Sequence, residues 1–243
     1  MSDPTLPGNA IELWNQLAAK ADVTLSPAQH DQLSRYIDLL LEANQRMNLT
    51  RIADRAAAEV QHVGDALTVL PFLPREGFRL VDVGSGGGVP GLILAIARPD
   101  AKVVLLEATK KKAVFLQEAV TALGLANVKV IAERAETAGQ GELRESRDVA
   151  VARAVGAMDF LVEWCLPLVK KGGVMLAMKG ARIVDELPAA KKAIHILGGG
   201  EVTVHPVELP GTEHRVIVEI KKVGRTDARY PRDPTVAKGK ALG

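Results

Sequence analysis

Asp82-Val83-Gly84-Ser85-Gly86-Gly87-Gly88-Val89-Pro90-Gly91 is the stretch on which the reading of the fold turns. It follows the apolar run Phe78–Val83 and leads into an apolar segment, Val89–Ala97, of helix length. A strand running into a glycine cluster and then a helix is the opening unit of an alternating β-α domain. The alternation continues outward from there. Lys102–Leu106, Val128–Ala132, Asp148–Val151 and Gly173–Met178 read as strands. Thr109–Leu123, a segment through Phe160 and Trp164, and Arg182–Leu197 with a break near Pro188 read as helices. Glu201–Leu209 and Arg215–Lys222, separated by Pro210-Gly211, read as an antiparallel hairpin. The expected fold class is therefore α/β: a mainly parallel seven-stranded sheet with a terminal antiparallel hairpin and helices on both faces. Such sheets bind ligands at the carboxyl ends of their strands, where the strand order reverses, so the glycine loop faces the site.

Upstream, the chain reads as helices. Ser26-Pro27 supplies an N-cap and a proline for the first helical position. Leu33, Tyr36, Ile37, Leu40 and Leu41 then recur at helical spacing. Asp54 reads as the cap of a further helix carrying Val60, Val63, Leu67 and Leu70, and Met47-Asn48-Leu49-Thr50 as the polar break between the two. The predicted organisation is a helical cap over residues 1–74, an α/β domain over 75–222 and a basic, flexible tail over 223–243.

Composition narrows the function classes. The 243 residues include 31 Lys+Arg, 29 Asp+Glu and a single Cys. One cysteine excludes an internal disulfide and a multi-cysteine zinc site, and a reducing, cytoplasmic home is expected. The start MSDPTLPGNA has no basic region followed by an apolar one, so no secretory signal is expected, and no apolar run reaches membrane-span length. The net charge of +2 hides an asymmetry: residues 221–243 hold seven basic and two acidic residues, which leaves the rest at −3. Aromatics make up only 3%, too few for a large base-stacking platform.

Two cofactor frames compete in the glycine loop. Gly84-x-Gly86-x-Gly88 behind Asp82 resembles the S-adenosylmethionine (SAM) loop of Rossmann-like class I methyltransferases, with Ala108 and Thr109 just beyond the next strand. Gly86-x-Gly88-x-x-Gly91 matches the dinucleotide fingerprint and would suit a nicotinamide-dependent oxidoreductase. Position favours the first. Asp82 ends the strand, so the turn begins at Gly84, and Pro90 suits a first helical turn but could donate nothing to a phosphate. Glu107 ends the second strand, where an acid can accept from both ribose hydroxyls. Arg134-Ala135-Glu136 follows the third strand, in the loop that borders the adenine in such folds.

Chemistry is read from the strand ends. Arg153 ends the fourth strand in Ala152-Arg153-Ala154, Lys179 ends the fifth in Met178-Lys179-Gly180, and Arg215 begins the last. Three cations at one rim suit a phosphate-rich acceptor. The Asn/Asp-Pro-Pro-aromatic motif of exocyclic-amine methylation is absent, and Cys165 lies mid-helix rather than in a strand-end loop, which excludes it as a C5-methylation nucleophile. None of His62, His195, His205 and His214 has metal-ligand spacing, so no metal is expected. What is left suits a nucleophile that needs no deprotonation, such as guanine N7, with catalysis by alignment.

Taken in order, the residues resemble the bacterial small-subunit rRNA methyltransferase G (GidB) family. The resemblance rests on Met47-Asn48-Leu49-Thr50, His62-Val63-Gly64-Asp65-Ala66-Leu67, Val81 through Gly91, Lys111-Lys112-x-x-Phe115-Leu116, Arg134-Ala135-Glu136, Arg153-Ala154, Lys179-Gly180, Arg215 and Tyr230-Pro231-Arg232. Ala66 stands where that family commonly has serine. The resemblance implies SAM-dependent N7 methylation of a guanine in the 530 loop (position 527 in the usual rRNA numbering) of 16S rRNA. It implies a SAM site at Asp82, Gly84, Gly86, Gly88, Val89, Glu107, Ala108, Thr109, Ala135, Glu136 and Arg153. Arg153 and Lys179 would position the reacting centre without a general base. Asn48, His62, Asp65, Lys179, Arg215, Tyr230 and Arg232 would meet the RNA. The expected partner is 16S rRNA or the small ribosomal subunit, met by a monomer. Lys110-Lys111-Lys112 and the tail are expected to grip phosphate, with Pro231 and Pro234 keeping the tail irregular and its cations free. A non-catalytic RNA-binding assembly factor is the alternative outside the enzymes.

Overall fold

The computed structural model describes residues 9–153, 155–233, 235–236 and 240–242. Ala154 and Pro234 lie outside the described residues. Seven strands form one sheet: β1 (Arg79–Val83), β2 (Lys102–Leu106), β3 (Val128–Ile131), β4 (Arg147–Arg153), β5 (Val169–Lys179), β6 (Gly199–Pro206) and β7 (Val216–Lys222). Their order is β3-β2-β1-β4-β5-β7-β6. The first five pair in parallel, and β7 runs antiparallel to both β5 and β6. The predicted fold class is the observed one. The order reverses between β1 and β4, so the crevice opens above the carboxyl ends of those two strands.

Helices α1 (Ala10–Ala19), α2 (Pro27–Met47), α3 (Arg55–Ala58), α4 (Asp65–Leu67), α5 (Gly91–Ala97), α6 (Lys110–Ala122), α7 (Ala135–Gln140), α8 (Met158–Cys165) and α9 (Ile183–Ile196) cover the sheet. Alternation along the strands divides the core. Leu80, Val103, Leu105, Val149 and Val151 face one side with residues of α1, α2, α5 and α6. Val81, Val83, Val104, Leu106, Ala150 and Ala152 face the other with residues of α7, α8 and α9. The amino-terminal helices thus pack into a core shared with the sheet. Tyr36 of α2 is fully buried and donates its hydroxyl to the Gly87 carbonyl at 2.7 Å. A Cβ at Gly87 would stand 2.7 Å from a Leu40 methyl of the same helix, so any larger residue there would have to displace that side chain.

Several local expectations change. Ser26 and Gln29 do form a capping box at α2. Asp54 caps α3 through the Ala57 N–H at 2.8 Å, but the helix then widens into a π-helical turn, Glu59–Gly64, before α4. The predicted break near Pro188 is absent: α9 runs through it. The carbonyl that loses its partner there belongs to Val184, a residue 72% exposed, so water can replace the missing N–H. Pro90 stands just before the first residue of α5 rather than inside its first turn.

The carboxyl-terminal segment is not free. Lys222 is buried, donating its ammonium to the carbonyls of Leu166 at 2.9 Å and Leu197 at 2.8 Å. Arg144 donates to the Tyr230 carbonyl at 2.7 Å and the Thr226 carbonyl at 2.8 Å. Arg232 forms a two-pronged pair with buried Glu163 of α8, with contacts of 2.9 Å and 2.6 Å. Arg229 pairs with Asp227 and lies over the Tyr230 ring. Within the expected flexible tail of residues 223–243, the cations Arg229 and Arg232 are paired rather than free, while Arg225 is exposed without an ion-pair partner among the described residues. Prolines bar a hydrogen-bond ladder, but side chains of α7, α8 and the loop between α7 and β4 hold the segment as a strap instead.

Candidate active site

The turn after β1 begins at Gly84, which settles the frame of the glycine loop. The N–H groups of Gly84 and Ser85 both donate to the Leu106 carbonyl, at 2.8 Å and 3.2 Å, folding the loop over the end of β2. Gly84 has φ +71°, and a Cβ would collide with Val155 at 2.9 Å. A dinucleotide turn starting at Gly86 has no counterpart here. Asp82 is buried, accepts the Gly91 N–H at 3.0 Å through Oδ2, and leaves Oδ1 without a partner. Burial pushes its pKa up to about 7, against the lowering effect of that hydrogen bond. Asp82 therefore anchors the start of α5 from inside the sheet. Glu107 accepts from the Gly86 N–H at 2.9 Å and the Thr109 N–H at 2.7 Å, one on each oxygen. Each oxygen keeps a second lone pair for a ligand hydroxyl.

Two pockets meet at Gly84. The first, about 130 Å³, is walled by Leu106, Ala108, Ala135, Glu136, Val155 and Trp164. It is a mainly apolar slot suited to a flat heterocycle. The second, about 190 Å³, is polar and includes Thr50, His62, Gly86, Val89, Lys112 and Arg153. A ligand with a nucleoside at one end and a charged group at the other would cross Gly84 where only glycine fits. SAM has that form, and the slot, the Glu107 carboxylate beside the loop and the polar pocket suit its three parts. Gly84, Gly86, Val89, Glu107, Ala108, Thr109, Ala135, Glu136 and Arg153 are thus brought together, while Gly88 and Asp82 support the loop from behind. Trp164 was not expected from the sequence; the signal available was Phe160 and Trp164 one helical turn apart, now with ring centroids 6.1 Å apart.

Beyond the polar pocket, the π-helical turn meets the end of β4. Arg153 donates to the Gln61 carbonyl at 2.8 Å, to Asp65 at 3.0 Å and to His62 Nδ1 at 2.9 Å. Arg215 donates through Nε to Asp65 at 3.1 Å and pairs with it again through Nη2. Asp65 is buried between the two guanidinium groups. His62 completes the network through Nε2, 3.0 Å from Thr50 Oγ1. Burial, then the charge of Arg153, pushes its pKa down to about 4, so the ring is neutral at pH 7. Lys179 pairs with Glu186 at 2.5 Å and donates to the Gly156 carbonyl at 2.8 Å.

The three rim cations predicted to meet phosphate are therefore each paired with an internal acid. Alongside Lys179 and Arg215, a groove of about 500 Å³ also carries Arg51 and Arg182. Both are exposed, and neither has an ion-pair partner among the described residues. These two were missed in the sequence because isolated surface arginines carry no motif. Asn48 is exposed at the left-handed carboxyl cap of α2, with φ 51°. That backbone position explains an asparagine without any ligand. Tyr230 and Arg232 lie in the strap, away from the groove. Cys165 is buried, which pushes its thiol pKa up and makes it inert, as expected from its place in a helix. No cluster of metal ligands occurs among the described residues, and no helix is long and apolar enough to cross a membrane.

Comparison with known proteins adds a family. A family profile described as rRNA small subunit methyltransferase G matches residues 29–216. Ribosomal RNA small subunit methyltransferase G of Alkaliphilus oremlandii is 43% identical over 226 residues, covering 91% of this chain and 94% of that protein. The protein of the same description from Moorella thermoacetica is 45% identical over 217 residues, covering 87% of this chain and 90% of that protein.

Proposed function

The chain belongs to the rRNA small subunit methyltransferase G family, and on that premise we propose that it methylates N7 of a guanine in the 530 loop of 16S rRNA. It is a SAM-dependent methyltransferase. When bound, SAM supplies an electrophilic methyl group. The protein's own residues hold the cofactor, order the acceptor and exclude water.

One observation carries the choice of nucleophile. The titratable side chains on the acceptor side of the crevice, at the π-helical turn and the β5 rim, are already committed. His62 accepts from Arg153, Asp65 lies between two arginines, and Lys179 pairs with Glu186. None is available as a general base. Guanine N7 offers a lone pair at neutral pH and needs none, so alignment is the whole task. Arg153 fixes the mouth of the site by tying β4 to the π-helical turn, and Lys179 fixes the β5 rim, so both act as positioning residues. Arg51 and Arg182 meet the RNA backbone along the groove, and the natural partner is 16S rRNA within the small subunit or its precursor, in the cytoplasm.

The test is incubation with methyl-labelled SAM and small subunits from cells lacking the enzyme, followed by mass-spectrometric mapping of the modified nucleotide. The expected product is one 7-methylguanine in the 530 loop. Label at an exocyclic amine, a ribose or another loop overturns the proposal.

A further inference from the structure

The hydroxyl hydrogen of Thr50 has no assigned acceptor, and the network around it determines where it points. Arg153 can only donate, so His62 Nδ1, 2.9 Å from Nη2, presents its lone pair. The neutral ring then carries its one hydrogen on Nε2 and donates it to Thr50 Oγ1 at 3.0 Å. The Ile52 N–H donates to the same oxygen, also at 3.0 Å. Both acceptor positions of the hydroxyl are filled, and its own hydrogen is free to donate. Thr50 stands on the wall of the polar pocket beside the glycine loop.

A second observation concerns charge. The first turn of α6 holds Lys110, Lys111 and Lys112 and no acidic residue. Lysines there oppose the positive end of the helix dipole, an arrangement that an anion makes favourable. Lys112 lines the same pocket as Thr50, and so does Arg153. A hydroxyl whose acceptor positions are filled and an ammonium around one small pocket, with Arg153 and Arg215 outnumbering Asp65 behind it, form a carboxylate site. With the adenosine in the apolar slot on the far side of Gly84, the amino-acid end of the cofactor falls here. We propose that Thr50 is a cofactor-binding residue, its hydroxyl donating to the α-carboxylate of SAM with Lys112 as the charge partner. The inference rests on the cofactor being SAM and is independent of which base is methylated.

The test compares two ligands by titration calorimetry. S-adenosylhomocysteine carries the carboxylate; 5′-methylthioadenosine keeps the adenosine and sulfur but lacks the amino-acid group. Thr50→Val weakens the first about tenfold and leaves the second within about twofold, and Thr50→Ser restores wild-type binding of both. Lys112→Ala shows the same selectivity for the carboxylate ligand. Equal loss of both ligands in Thr50→Val marks a packing role and overturns the proposal. Unchanged binding of both with slower methyl transfer moves the hydroxyl to the acceptor base and also overturns it. Neither ligand titration uses RNA, so an error in the assigned guanine leaves the binding result intact.

Discussion

His62 and Asp82 both feel the charge of Arg153 and are shifted in opposite senses. Burial, with Arg153 and Arg215 nearby, pushes His62 down to about 4. Burial, helped by the charge of Glu107 and opposed by the Gly91 hydrogen bond and Arg153, pushes Asp82 up to about 7. Between about pH 4 and 6.5 the unfolded chain binds more protons at His62 than the native one, so this residue costs stability as pH falls. Between about pH 4 and 7 the native state binds more protons at Asp82, so this residue's contribution is full in acid and is lost as pH rises. The two slopes oppose each other. Asp82→Asn therefore makes stability fall more steeply than wild type from pH 6.5 to 4.5, by on the order of 2 kcal/mol. His62→Gln makes it fall instead as pH rises through the same range. Calorimetric unfolding at three pH values checks both, and parallel profiles for wild type and variants would refute the opposed shifts. The sequence marked His62, Asp65, Arg153 and Arg215 as chemistry-bearing, but not as one network. Arg153 and Asp65 are 88 positions apart and Arg215 and Asp65 are 150 apart, so local spacing carries no trace of the pairing. Thr50 was legible only as part of a polar break, because its role depends on which lone pairs its neighbours occupy.

At the scale of elements, periodicity and glycine placement made the strands, most helices and the hairpin readable. The carboxyl-terminal strap was not, since proline content reports on ladders and not on docking. Its consequence is mechanical. The cofactor slot has α7 and Trp164 of α8 as its outer wall. The strap binds both helices: Gln140 at the end of α7 donates to the Pro231 carbonyl at 2.8 Å, and Arg232 holds Glu163 next to Trp164. Arg232→Ala leaves the buried Glu163 carboxylate with the residue 232 N–H but no charge partner, at a cost of about 3 kcal/mol. Arg232→Lys recovers only part of this, because a single ammonium cannot reproduce the two-pronged contact. Both variants should also bind S-adenosylhomocysteine more weakly, in proportion to the loss of stability. Thermal unfolding and titration calorimetry read the two effects. A wild-type melting temperature in Arg232→Ala would show that the strap is not braced by this pair.

For the whole molecule, the charge asymmetry of the chain looks different once pairing is known. The basic terminal segment spends Lys222 and Arg232 internally and neutralises Arg229 with Asp227. The rim cations Arg153, Lys179 and Arg215 are spent on Asp65 and Glu186. The cations predicted to grip RNA are thus largely paired within the protein, and Arg51 and Arg182 are, among the described residues, the two exposed, unpaired arginines on the groove beside the crevice. RNA binding through phosphate releases counterions, and each contact contributes close to one unit to the slope of log affinity against log salt. Arg51→Ala and Arg182→Ala should each lower that slope by about 1 on a 16S rRNA fragment containing the 530 loop, and the double variant by about 2. Arg229→Ala should change it far less, since its charge is already met by Asp227. S-adenosylhomocysteine affinity should stay at wild type in all four variants, because none of these residues touches the cofactor pockets. Filter binding across a salt series measures the slopes. Unaltered slopes in the groove variants, with a large loss in Arg229→Ala, would move the RNA path from the groove to the strap.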